Sequence, residues 1–282
     1  MAESEHVLSE LTTDLVSDPR TPRLHAWERD AARRFHDRML DRAAPFPCVF
    51  GVDALRKATL RYAFVPGGPE RPRALAEALR DFVRLAPALG RRTSLVAFFQ
   101  PDFDPDLQQD FQQEDDAAPG HRTVADYRRE LWDLLQSLHE LDDAAWPEDI
   151  PLDPEDPEWE FSFSGMPMFV VANTPAHQRR MSRYFEYFTI TFQPRFVFDD
   201  ISEDSLPGRN ARTIIRGRLA DYDAVPASPV LGSYGKPGNK EWVQYFLGDD
   251  NAPGGGESRC PLHVRAKPDE HGDARIETHK NR

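Results

Sequence analysis

Apolar residues recur at helical spacing in several long segments of this chain, and alternate or run continuously in several short ones. Over residues 24–40, Trp27, Ala31, Phe35 and Met39 fall on one face with arginines between them, which predicts an amphipathic helix. Residues 71–89 repeat the pattern through Leu75, Leu79, Phe82 and Ala86. Residues 123–141 carry the stripe Leu131, Leu134, Leu135, Leu138 and Leu141, with His139 on its flank, behind a start where Thr123 meets Asp126 in a box-like cap. A further helix is expected over 211–222. Residues 59–65 and 93–99 read as strands, the second so continuously apolar that it belongs in the middle of a sheet. The strand, helix, strand order implies a crossover unit.

The densest apolar material lies in 159–195, which parses as strand, turn, strand, short helix, strand. Asn173 or Thr174 can cap the helix and Pro175 suits its first position, which leaves His177 in the first turn. The positive end of a helix dipole disfavours protonation, so His177 is expected to be neutral and able to bind a metal, although a histidine in such a pattern is more often a satisfied core residue. Arg179 and Arg183, four apart with Arg180 beside them, would form an anion-binding cluster on one helix face. A neutral histidine beside concentrated arginines suits a ligand carrying both a metal and carboxylates, and haem is the commonest. Trp159, Phe161 and Phe192 would wall a pocket if their alternation points them inward, though core packing would place them there too.

The segment 44–51, Ala-Pro-Phe-Pro-Cys-Val-Phe-Gly, is expected to be an irregular loop. Cys48, between Phe46 and Phe50, is either a small buried hydrophobe or a thiolate that free backbone N–H groups could stabilise as an axial ligand. Asp102, Asp104 and Asp106 alternate without the glycine and terminal glutamate of a calcium loop, so they read as a solvated turn. The acidic, glutamine-rich connection over 102–120 is either a lid or a plain loop.

Composition narrows the partners. Asp and Glu number 48 against 35 Lys and Arg, a net charge of −13 that argues against a general nucleic-acid or anionic-membrane surface and is compatible with small cationic substrates. A hydrophobic content of 39% with 18 Phe is enough for a substantial core. No run approaches the roughly 18 apolar residues of a membrane span, and the start lacks a signal peptide, so a cytoplasmic location is expected. Two cysteines, Cys48 and Cys260, make no disulfide framework. Glycine-rich nucleotide loops, H-E-x-x-H, G-x-S-x-G and paired-cysteine zinc spacings are all missing. The expected architecture is α+β, a single domain over 23–265 with a mixed sheet flanked by helices, between a flexible tail at 1–22 and a disordered one from 266.

Phe46-Pro47-Cys48-Val49-Phe50-Gly51, Trp159 through Gly165, Asn173-Thr174-Pro175-Ala176-His177 with Arg179 and Arg183, Phe192-Gln193-Pro194-Arg195, and Gly235 through Tyr245 together resemble the recurring blocks of the YqcI/YcgG family, in order and over about 200 residues. The resemblance implies a haem-dependent N-oxygenase acting on a free amino acid or guanidino compound, arginine-like by preference. It implies haem b, oxygen or peroxide and an electron donor, with a homodimer permitted. Under it, His177 is the expected iron ligand and Cys48 the alternative. Arg179, Arg180 and Arg183 would meet propionates, Arg195 would meet a propionate or the substrate carboxylate, with a surface salt bridge as its plain alternative, and Phe46, Phe50 and Asn173 would line the cofactor site. Glu160 and Gln193 are the expected acceptors for the substrate cation, against a solvated strand face and a satisfied core amide as the plain alternatives.

Overall fold

The computed structural model describes residues 24–101, 122–201, 205–252 and 259–265. The helices are α1 (Ala26–Leu40), α2 (Val49–Arg56), α3 (Arg71–Leu89), α4 (Val124–Leu141), α5 (Leu206–Tyr222) and the single turn α6 (Trp242–Tyr245). The strands are β1 (Leu60–Val65), β2 (Ser94–Phe99), β3 (Phe161–Phe163), β4 (Met166–Asn173) and β5 (Thr189–Pro194). They form one five-stranded sheet in the order β1-β2-β5-β4-β3. β1 and β2 are parallel through the α3 crossover, and the remaining pairs are antiparallel, so the α+β class with a mixed sheet is what the chain adopts.

The strands divide their side chains between two layers. Ala63 and Val65 of β1, Leu95, Ala97 and Phe99 of β2, Ile190 and Phe192 of β5, Met168, Val170 and Ala172 of β4, and Phe161 and Phe163 of β3 face the inner stripes of α3 and α4. Leu75, Leu79 and Phe82 of α3 and Leu131, Leu135 and Leu138 of α4 are all fully excluded from solvent there. Burial of each such side chain contributes roughly 1.5–3 kcal/mol, which makes this the dominant core. Leu60, Tyr62, Val96 and Phe98 face the other way, into α1, α2, Phe185 and Tyr187. Tyr62 and Phe98 stack with centroids 5.8 Å apart, and Phe35 of α1 meets both rings edge-on.

That second layer is uneven. By the register of β2, β5 and β4, the residues continuing its face beyond Val96 and Phe98 are Thr189, Thr191 and Gln193 of β5 and Phe169, Val171 and Asn173 of β4. Thr189 is buried and the other five are partly buried, whereas their alternates Phe192, Val170 and Ala172 are sealed. Among the described residues the sheet is therefore sealed on one face and less completely covered on the other over β4 and β5, where Phe169 meets Tyr245 and Phe198.

Local chemistry accounts for the element ends. Thr123 and Asp126 make the reciprocal cap of α4, with Asp126 N–H donating to Thr123 Oγ1 at 3.2 Å and Thr123 N–H to Asp126 Oδ2 at 2.9 Å. Ser164 and Gly165 both have positive φ, +51° and +73°, the conformation a two-residue hairpin requires between β3 and β4. α5 begins five residues earlier than expected, because Ser205 caps it through Gly208 N–H at 3.0 Å and Pro207 occupies its first turn. Residues 1–22, the tail from 266, the aspartates of 102–106 and the acidic insert over 108–118 lie outside the described residues.

Candidate functional site

Two of the segments that carry the expected chemistry fold differently from expectation. The chain at 49–56 is a helix rather than part of an irregular loop, and Cys48 is its N-cap. Proline at 45 and 47 stops the preceding chain from continuing as helix, and Val49 onward is free to wind. The cap places Gly51 N–H 3.3 Å from Cys48 Sγ, and the Phe50 amide also acts on the sulfur. Burial pushes the thiol pKa up, opposed by those two amides and by the Arg183 guanidinium. The residue as a whole is partly exposed, whereas the sulfur itself is buried.

The second departure is at 173–183. Thr174 forms an isolated bridge with Tyr184, the chain then turns, and the only helical residues are the 3-10 turn Met181–Arg183. The turn is held by Asp249, whose carboxylate accepts from the backbone N–H groups of Gln178, Arg179 and Arg180 at 3.0, 2.8 and 2.8 Å. Burial opposes the charge there, but the three donors outweigh it and hold Asp249 below the usual carboxylate range. Those donors would otherwise be an orphaned helix start, which is why the local sequence resembles one.

His177 is neutral, as expected, but for another reason: burial lowers its pKa. Its Nε2 lies 2.9 Å from the Leu247 carbonyl, which can only accept, so the proton resides on Nε2 and Nδ1 accepts from Thr174 Oγ1 at 2.9 Å. Both ring nitrogens are engaged, and a metal could take one only by breaking a hydrogen bond. The arginines diverge instead of sharing a helix face. Arg179 points to solvent. Arg180 is buried, donating to the Gly248 carbonyl at 2.7 Å and Asn251 Oδ1 at 2.7 Å. Arg183 is buried against Cys48, donates to the Gln244 carbonyl at 3.3 Å and leaves Nη1 without a partner, and burial lowers its pKa to about 10.

Cys48 and Phe50 belong to the start of α2, which packs with α1 on the Tyr62 and Phe98 side of the sheet, and Arg183 acts on Cys48 from the turn, while Phe169 packs on Tyr245 of the other layer. Phe46 meets Tyr222 edge-on at 5.9 Å and its carbonyl accepts from Arg218 at 2.9 Å, while Phe50 lies under the Arg92 guanidinium at 5.1 Å. Phe198 closes on Phe169 at 6.2 Å. Asn173 turns its amide to the Ser182 carbonyl at 3.1 Å and so supports the turn. Trp159, Phe161 and Phe192 face the opposite, sealed layer and wall no pocket there.

Glu160 and Arg195 occupy a separate buried cluster. Arg195 Nε donates to Glu160 Oε2 at 2.7 Å, Nη2 grips Oε1, and the guanidinium stacks on Tyr234 with Glu241 3.8 Å away. Burial pushes Glu160 up to about 8 and Glu241 up to about 7, against the pull of the one arginine. The negative charge of Glu241 adds to the rise at Glu160, since two carboxylates beside one cation disfavour each other's ionisation. Glu241 and Asp249 carry these two clusters and escaped the sequence reading, because nothing in Lys240-Glu241-Trp242 or Gly248-Asp249-Asp250 distinguishes a buried carboxyl from a surface one.

Among the described residues no helix is long and apolar enough to cross a membrane, and no group of three or more His, Cys, Asp or Glu side chains could hold a metal ion. Residues 35–263 match the model of the YqcI/YcgG family. The chain is 41% identical to the uncharacterized protein YqcI of Bacillus subtilis (strain 168), over 85% of this chain and 89% of that one. It is 39% identical to YcgG of the same organism over the same shares. It is 37% identical, over 81% of this chain and 82% of the relative, to DcsA of Streptomyces lavendulae, named a putative N(omega)-hydroxy-L-arginine synthase. No solved structure matches it significantly. The matched span runs from the middle of α1 past α6 and takes in the Cys48 cap, the Asp249-held turn and every strand, so this chain belongs to the YqcI/YcgG family.

Proposed function

We propose that this chain is a haem-dependent N-oxygenase that hydroxylates a guanidino nitrogen of a free, arginine-like amino acid. The observation that carries the reading is the Cys48 cap: a sulfur at a helix start, met by backbone N–H groups, beside a buried arginine whose Nη1 is unpartnered. An unpartnered buried guanidinium nitrogen asks for an anion. A thiolate and a propionate are both anions such a corner would accept. The DcsA relative supports the choice of nitrogen and substrate.

In this reading Cys48 is the residue that would hold the iron, Phe50 and Phe46 would flank the ring, and Arg183 would neutralise negative charge. His177 supports the turn rather than the metal. Haem, when bound, supplies activation of oxygen. One oxygen atom enters a new N–O bond, and the other leaves as water with two electrons from an external reductant and two protons. Gln193, on β5, carries an amide oxygen able to accept from a guanidinium N–H, whereas Glu160 is already committed to Arg195 and serves the fold. Amide in place of carboxylate orients the cation without forming a tight ion pair that would raise its cost of reaction.

The test is incubation of haem-loaded protein with L-arginine, a chemical reductant and oxygen, followed by mass analysis. The product expected is arginine heavier by one oxygen atom, with Gln193→Leu raising KM by roughly tenfold, as loss of one charge-assisted bond predicts. Haem-loaded protein that leaves arginine and other guanidino compounds unchanged would contradict the reading and leave a haem carrier in its place.

A further inference from the structure

α5 has a second face that the Cys48 corner does not use. Arg209, Arg212 and Arg216 follow at helical spacing along it, and across a groove of about 1050 Å³ stand Lys236 and Lys240 on the 229–240 segment. The helix side that meets the Cys48 region is marked by Arg218 and Tyr222, which hold Phe46. Six residues separate Arg212 from Arg218, a rotation of about 240° at 3.6 residues per turn, so the two sides are distinct.

Three features of the groove point the same way. Its lining contains five cationic side chains and no carboxylate, in a chain whose Asp and Glu exceed its Lys and Arg by 48 to 35. Lys240 is paired with Glu155, which stands outside the lining. Arg212 turns a buried Nη1 there without any hydrogen-bond partner. Val230, Leu231 and Val243 supply an apolar floor between the cationic banks. Such a volume falls at the upper end of small-molecule sites, and cations on two opposed walls suit a ligand with at least two anionic groups.

We infer that the groove between α5 and the 229–240 segment binds a small polyanion, bearing phosphates or several carboxylates, at a site separate from the Cys48 corner. The test is isothermal titration of the full chain at low ionic strength with pyrophosphate and, separately, with citrate. One of the two is expected to bind saturably, and which one does assigns the phosphate or the carboxylate source. Arg212→Ala and Arg216→Glu, each checked for an unchanged far-ultraviolet circular dichroism spectrum, are expected to weaken that binding at least about tenfold. Added salt is expected to weaken it as well. Cys48→Ser is expected to leave it unchanged. Lys236→Glu gives the same readout from the opposite wall should an arginine variant misfold. Absence of saturable binding by both probes, or binding indifferent to the groove variants, would overturn the inference. Loss of haem absorbance in the arginine variants would overturn it too, by assigning the groove to haem itself.

Discussion

Glu241 shows what a single buried carboxyl does to this protein. Its pKa stands near 7 in the folded chain against an ordinary value of 4.5, and burial is the main cause. The folded state therefore binds more protons than the unfolded state between those values, and stability falls as pH rises through that window. Glu160, pushed up to about 8 by the same cause, acts in the same direction. Replacing Glu241 with glutamine removes its share, so thermal melting should show a smaller drop between about pH 5 and about pH 8 than in the wild type, by roughly 2–4 °C per kcal/mol relieved. An unchanged pH profile would mean that Glu241 is ionised throughout. No local pattern predicts such a residue: Glu241 is one acid among many along the chain, and only the packing of Trp242 and Tyr245 beside it removes its water.

At the scale of elements, the turn at 174–183 is the instructive case. Asn173-Thr174-Pro175 has the composition of a helix start, and the backbone N–H groups after it do converge as at one. Their acceptor is Asp249, some seventy residues onward, so a tertiary contact replaces the helix the local chemistry favours. Asp249→Ala should cost about 1–3 kcal/mol, read as a lower denaturant midpoint with unchanged slope, because three donors lose their charged partner together. A loss below about 0.5 kcal/mol would show that solvent replaces the carboxylate without penalty. The helices and strands themselves were largely legible, because the stripes of α3 and α4 and the apolar run of β2 are periodic over many residues. α2 was hidden, since the prolines at 45 and 47 mark a loop but do not say that a helix begins right after it. His177, expected in the first turn of a helix, lies instead in the turn held by Asp249, and Cys48, expected in a loop, stands at the start of α2.

The whole molecule is a sheet covered fully on one side and partly on the other, and that asymmetry concentrates the chemistry. The sealed layer takes Trp159, Phe161 and Phe192 into the core, and Val171, Thr191 and Gln193, on the opposite face of β4 and β5, are only partly buried. Such a division follows from the register of β2, β5 and β4, which no alternation pattern reveals until the strands are paired. The central claim is that Cys48 at the start of α2 holds the iron. The most direct measurement is the ultraviolet-visible spectrum of haem-loaded protein in its ferrous carbon-monoxide form, for the wild type, Cys48→Ser and His177→Ala. A red-shifted, thiolate-type band in the wild type that persists in His177→Ala and disappears in Cys48→Ser is the predicted result. A histidine-type band lost only in His177→Ala, or a wild type that takes up no haem, would contradict it.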